Sequence, residues 1–254
     1  MASSLNKIDL MRAAGKLAAQ TLDYIGKHVG PGVSTQLLDE VADEFIKQHG
    51  AISACLGYTA GGQFPPFPKN ICTSVNQIAC HGIPNDKKLK DGDSLNIDVT
   101  VILDGYHGDT SRMFFAGKPS IKHQRLSDAT YEIMMRTIDI LKPGVKISDL
   151  GILGHELAKK YNLTVLRQFS GHGIDTVFHK SPPVINFIEP NLPDWNYVLK
   201  EGEFITVEPI LTTGKGKIKL LPDGWAMATC DREPCAQWEH TIAIVDGGFE
   251  IMTL

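Results

Sequence analysis

Apolar residues recur along the first thirty positions at helical spacing. Ile8, Met11, Leu17, Leu22 and Ile25 fall toward one side of a helix, and Lys7, Asp9, Arg12 and Lys16 interrupt them, so the pattern predicts an amphipathic helix. The same charges argue against a signal-peptide core. A repeat predicts two more helices. "PGV" occurs at 31–33 and again at 143–145, followed by "STQLLDEVADEFIKQHG" and "KISDLGILGHELAKKYN", both of helical pattern. The pattern changes at 96–110, "NIDVTVILDGYHGDT". There Ile97, Val99, Val101, Ile102 and Leu103 read as a buried strand that ends at Asp104-Gly105. Asp-Gly between apolar runs predicts a two-residue hairpin turn.

That hairpin raises a question of charge. Asp98 sits inside the first strand and Asp109 inside the second. With Asp104 and Gly105 as the turn, Asp98 lies opposite Ser111. Asp109 is then its diagonal neighbour on the same face, about 7–8 Å away by Cα. Burying a bare carboxylate is costly. Convergence on a shared cation answers the question; two solvated acids on an exposed face are the alternative.

A second echo extends the repeat. "KDGDSLNIDVTV" at 90–101 resembles "KEGEFITVEPIL" at 200–211, which pairs Lys90 with Lys200, Gly92 with Gly202, and Asp98 with Glu208. The two echoes are nearly in register, so the chain reads as two related α+β halves, roughly 1–118 and 119–254, in one domain. Glu208 lies among Phe204, Ile205, Val207, Ile210 and Leu211, and is expected on a strand equivalent to that of Asp98. Glu239 precedes Thr241 to Val245 in "QWEHTIAIV". Four acids in or beside apolar strands, without basic partners in those strands, point to a metal. His81 in "ACHGIP", and His172 and His179 in "GHGIDTVFHK", stand in glycine-rich or apolar settings. Such a histidine alone is ordinarily structural; beside four strand acids these three become candidates for chemistry.

Composition narrows the class without naming it. At 43% hydrophobic and 21% charged, the 254 residues are ordinary for a globular protein. A net charge of −4 gives no nucleic-acid footprint. No apolar run is long enough for a membrane span. The cysteines at 55, 72, 80, 230 and 235 contain no C-x-x-C pair, which argues against a zinc ribbon and for reduced thiols in the cytoplasm.

The stretches "SVNQIACHGIP", "NIDVTVILDGYHGDTSRMF", "GHGI" followed by "FH", "TVEPI", "DGWAMAT" and "AQWEHTI" together resemble the type I methionine aminopeptidases, of the short bacterial form. The resemblance runs over nearly the whole chain. It implies the pita-bread α/β fold, in which two pseudo-symmetric halves with a central antiparallel sheet surround a two-metal centre. It implies Asp98, Asp109, His172, Glu208 and Glu239 as ligands of two divalent ions (Co, Mn, Fe or Zn), with Asp109 and Glu239 bridging. It places His81 and His179 beside the substrate and gives Glu208 the role of proton carrier. It assigns Cys55, Tyr58, Phe67, Cys72, Phe178 and Trp225 to a methionine pocket. The activity implied is removal of N-terminal methionine from peptides and nascent chains when the second residue is small. It further implies a cytoplasmic monomer that meets its substrates at the ribosome.

Two departures stand out. The family commonly follows "GHGI" with Gly and a basic residue, where this chain has Asp175 and Thr176. The segment "TAGGQFPPFPKN" at 59–70 is a few residues longer than usual and lies at the expected pocket mouth. Two rival readings share the fold: a proline-specific aminopeptidase, and a catalytically inactive binding module.

Overall fold

The structure is a computed structural model that describes residues 6–254. The first half opens with helices α1 (Lys7–Gly26) and α2 (Thr35–Gln48), then strands β1 (Ile52–Ser53), β2 (Cys72–Val75), β3 (Ile78–Cys80), β4 (Asp93–Leu103) and β5 (Tyr106–Ala116). The second half repeats two helices, α3 (Ile121–Ile138) and α4 (Ile147–Lys160). They lead into β6 (Thr164–Val165), β7 (Gly171–Gly173), β8 (Lys180–Val184), β9 (Phe204–Val207) and β10 (Ile210–Thr212). Then come β11 (Ile218–Leu220), β12 (Met227–Thr229), β13 (Cys235–Gln237), β14 (His240–Val245) and β15 (Gly248–Ile251).

Local chemistry sets the helix starts. The Asn6 side chain accepts the Asp9 N–H at the head of α1, and Ser34 and Ser120 cap α2 and α3 in the same way. Each half then buries one face of its helices on its own sheet. Leu22, Ile25, Leu38 and Ile46 pack with Ile97, Val99 and Val101; Ile133, Met134, Ile147 and Leu150 pack with Ile205, Val207 and Ile242. Each such side chain, fully buried, is worth about 1.5–3 kcal/mol.

In the first sheet, β4 runs between β5 on one side and β1 with β2 on the other. Asp104 and Gly105 form the turn with φ of 50° and 81°, the left-handed pair that a two-residue hairpin requires. The register puts Asp98 opposite Ser111 and Thr100 opposite Asp109, so the two acids are the diagonal neighbours that the sequence predicts. Helix α1 lies so close to β5 that a Cβ on Gly108 would fall 2.2 Å from the Ala14 carbonyl oxygen. The second sheet has the order β15-β14-β9-β7-β8, all antiparallel. Two three-stranded ribbons, β13-β10-β6 and β11-β12-β3, flank it, and the latter draws β3 from the first half.

One expectation is corrected. Glu208 is not on a continuous strand like Asp98, because β9 ends at Val207 and β10 begins at Ile210. Pro209 offers no N–H to a ladder, so the chain breaks there and Glu208 sits in the gap. A backbone bridge from the Glu239 N–H to the Ser111 carbonyl (3.1 Å) brings the start of β14 against the hairpin of the first half.

Candidate active site and metal centre

Where the hairpin meets the broken strand, a cavity of about 390 Å³ opens. Every candidate side chain from the sequence lines it: Asp98, Asp109, His172, Glu208 and Glu239; His81 and His179; Cys55, Tyr58, Phe67, Cys72, Phe178 and Trp225. No Lys or Arg does. Asp109, His172 and Glu239 form the tightest group, each offering a ligand-capable atom within 4.8 Å of the others. Asp98 and Glu208 line the same space without joining that trio. The His172 Nε2 stands 3.5 Å from Asp109 Oδ2 and 3.5 Å from Glu208 Oε1.

Hydroxyls fix these groups, and strand alternation explains which ones. Thr100 shares a face with Asp98 and donates to Asp109 Oδ1 at 2.7 Å. Thr206, two residues before Glu208, donates to its Oε1 at 2.8 Å. Thr241, two residues after Glu239, donates to the Asp109 carbonyl at 2.7 Å. Gln237 Nε2 donates to Glu208 Oε2 at 3.3 Å. The His172 Nδ1 donates to the Gly173 carbonyl at 3.1 Å, which leaves Nε2 facing the acids. The same two-residue spacing in the sequence points to all of them: Thr100 beside Asp98, Thr206 beside Glu208, and Gln237 and Thr241 on either side of Glu239.

So much negative charge in one closed space is self-repelling. Burial first, then the neighbouring Asp109, pushes the Asp98 carboxyl well above its usual range, and the same causes raise Glu239. Glu208 is pushed up to about 7, mainly by burial, with His172 pulling the other way. Burial also works against a charged His172, but its hydrogen bond to Asp109 and the charge of Glu208 win and raise it. A divalent cation would reverse this balance. Carboxylates and one imidazole are the donor set that first-row divalent ions accept, so the residues fit such an ion.

The histidines behave differently. His81 holds a φ of 55°, rare for a residue with a side chain, and its ring meets Trp225 and Phe169 edge-on at 5.9 Å each. Burial lowers it to about 4. His179 is lowered to about 3 by burial and by His172, whose ring centroid is 4.1 Å away. Its Nδ1 is 2.8 Å from the Tyr58 hydroxyl. Both rings are neutral near pH 7.

The other end of the cavity is apolar. Cys55, Phe67, Cys72 and Trp225 are buried together, with Tyr58, Phe64 and Ile83 packed against them. A contact with the Cys55 thiol, then burial, raises the Cys72 thiol far above its usual value, so it lines the wall as an uncharged group. Phe64, absent from the pocket that the family resemblance implies, stacks on Trp225 at 4.9 Å and 27°.

Asp175, unexplained in the sequence, has clear partners. Its Oδ2 accepts from Lys7 Nζ at 2.8 Å and from Lys180 Nζ, across the turn that joins β7 to β8. Burial opposes the charge, but the two lysines hold the carboxyl well below the usual range. The Asp175 carbonyl also takes the backbone N–H of His107 at 2.8 Å. The His107 ring stacks on Phe178 at 5.5 Å and 16°. The turn that carries Phe178 and His179 is thus pinned from both sides.

Comparisons with known proteins agree with one another. The model of metallopeptidase family M24 matches residues 9–246. A methionine aminopeptidase of Rickettsia prowazekii is 49% identical over 245 residues, covering 96% of this chain and 91% of the relative. One from Escherichia coli (strain K12) is 45% identical over 250 residues, covering 97% and 91%. The crystal structure of the Rickettsia prowazekii enzyme superimposes with a TM-score of 0.92 at 48% identity, over 98% of this chain and 97% of that one.

Proposed function

The chain belongs to metallopeptidase family M24, and on that premise we propose how its cavity performs the reaction. The protein has the pita-bread fold and is a metal-dependent aminopeptidase that removes N-terminal methionine. The observation that carries the reading is the union, in one cavity, of an acid-rich end fit for divalent ions with a narrow apolar end walled by thiols and aromatic rings.

In this proposal Asp98, Asp109, His172, Glu208 and Glu239 would hold the two divalent ions, Asp109 and Glu239 standing centrally in the set. When bound, such ions supply Lewis acidity and make a water acidic enough to attack at neutral pH. Glu208 takes the proton from the attacking water and hands it to the leaving amine. Tyr58 stays protonated, since burial raises its hydroxyl, and in this proposal it is the donor in its 2.8 Å contact with His179 Nδ1. The proton of the neutral ring then sits on Nε2, which donates to the scissile carbonyl oxygen as charge develops there. His81, held in a strained backbone conformation, contacts the scissile nitrogen.

The methionine side chain enters between Tyr58, Phe67, Cys72, Phe178 and Trp225, where an unbranched thioether makes favourable sulfur–aromatic contacts. The wall formed by His81 leaves room only for a small second residue. Residues 1–254 act as one catalytic unit, a monomer working in the cytoplasm on chains leaving the ribosome. No helix among the described residues is long and apolar enough to cross a membrane.

The test is hydrolysis of a short peptide panel by protein loaded with Co, Mn, Fe or Zn in turn. Met-Ala, Met-Gly and Met-Ser peptides are cut; Met-Lys, Met-Phe and Ala-Pro peptides are not. Rapid cleavage of Ala-Pro with Met-Ala left intact would overturn the reading in favour of a proline-specific enzyme. No cleavage of any peptide with any metal would favour the inactive binding module.

A further inference from the structure

The segment between Tyr58 and Phe67 has no part in the mechanism above, yet it is built against the cavity. Its base is clamped by a backbone pair: the Phe67 N–H donates to the Tyr58 carbonyl at 2.9 Å, and the Gly57 N–H to the Phe67 carbonyl at 2.8 Å. Its first turn is closed by Gly62 and Phe64 N–H groups, which both donate to the Thr59 carbonyl, at 3.0 and 3.1 Å. Gly61 and Gly62 take φ of 70° and 87°, which lets the chain double back so tightly. The loop therefore presents Phe64 and Pro65 in one place.

That place is the Trp225 ring. Phe64 stacks on it, the Pro65 carbonyl accepts its Nε1–H at 2.9 Å, and Phe67 meets it edge-on at 5.2 Å and 88°. Trp225 in turn touches the ring of His81. Trp225 and Phe67 are buried and Phe64 is half-buried, so the stacked Phe64 ring covers one face of Trp225 at the edge of the cluster. Its ring also lines the cavity itself.

We infer that Phe64 is a specificity-determining residue for the first side chain of the peptide: a lid, held by the loop at 59–66, that keeps water off Trp225 and completes the apolar end of the cavity. This rests on the reading of that end as the methionine pocket. Phe64 acts on binding of the first side chain and leaves the bond-breaking groups alone. Its effect therefore falls on KM, and only for peptides whose first residue reaches the lid.

Steady-state kinetics of Phe64→Ala, Phe64→Leu and Phe64→Tyr on Met-Ala, norleucine-Ala and Ala-Ala peptides tests this, with bound metal measured for each. Loss of one aromatic stack corresponds to a rise in KM of about three- to tenfold. Phe64→Ala should show that rise for the methionine and norleucine peptides, with kcat within about twofold. The alanine peptide should remain as poor a substrate as before, so preference for methionine over alanine narrows. Phe64→Leu keeps apolar bulk without the ring and should fall between, and Phe64→Tyr should restore wild-type KM. Unchanged KM and preference in Phe64→Ala, or a fall in kcat alone, would overturn the lid. If Phe64→Ala loses metal or secondary structure, Phe64→Leu and Phe64→Tyr decide, and equal KM in those two overturns it. Wild-type protein that fails to cut Met-Ala at all strikes the underlying reading instead, so the two failures are told apart.

Discussion

Asp175→Asn removes one charge and keeps the shape. In the wild-type protein the Asp175 side chain is 11% exposed and pairs with Lys7 and Lys180, whose side chains are 46% and 37% exposed. Pairs that reach solvent on the lysine side are worth about 0.5–1 kcal/mol each, so the loss is about 1–2 kcal/mol. In a chain of this length that lowers Tm by about 2–4 °C per kcal/mol. The pH dependence has a fixed sign. The lysines hold the folded carboxyl below its unfolded value of about 3.9. Between those two values the unfolded state binds more protons, so the stabilisation is whole above about pH 5 and is lost as pH falls through 4 and below. The assay is urea unfolding of EDTA-treated wild type and variant at pH 7, 5 and 3, since bound metal would add its own linkage. Equal stability at pH 7 would refute the argument. So would a difference of the same size at pH 3 as at pH 7.

Three further outcomes are expected. Asp109→Ala should abolish hydrolysis and reduce bound metal, as measured by elemental analysis, because in the proposed centre Asp109 serves both ions. His179→Ala should retain metal but lose about 10²–10³ in kcat, the scale for losing a donor to a developing oxyanion; metal lost along with rate would move His179 into the ligand set. Gly108→Ala should destabilise by about 1–3 kcal/mol in urea unfolding, because the new methyl meets the Ala14 carbonyl of α1 and backbone must shift.

The elements that the sequence foretold are those governed by short-range rules. The turn at Asp104-Gly105, the strand register it sets, and the helices after each "PGV" depend on a few neighbouring residues. The break at Glu208 is legible in Pro209 beside it, whereas the echo with Asp98 points to a continuous strand. The rest depended on distant partners. Nothing near Asp175 in the chain identifies Lys7 as its counter-charge, and nothing in "TAGGQFPPFPKN" says that Phe64 meets Trp225. The cavity itself joins residues 55 to 239, and only their types and the family resemblance pointed to it.

The bridge between Ser111 and Glu239 bears on how the enzyme comes into being. The Thr110 hydroxyl donates to the Glu239 carbonyl across 129 residues of chain. Of the candidate ligands, Asp98 and Asp109 arrive on an early hairpin, while Glu239 enters from the short link between β13 and β14. Contacts so distant in sequence form late and slowly. A chain that has been synthesised only as far as β13 holds Asp98, Asp109, His172 and Glu208 but not Glu239, so its acid cluster is incomplete. A complete acid cluster in this architecture is thus a certificate of finished folding, issued only when the early hairpin and the late segment around Glu239 have met.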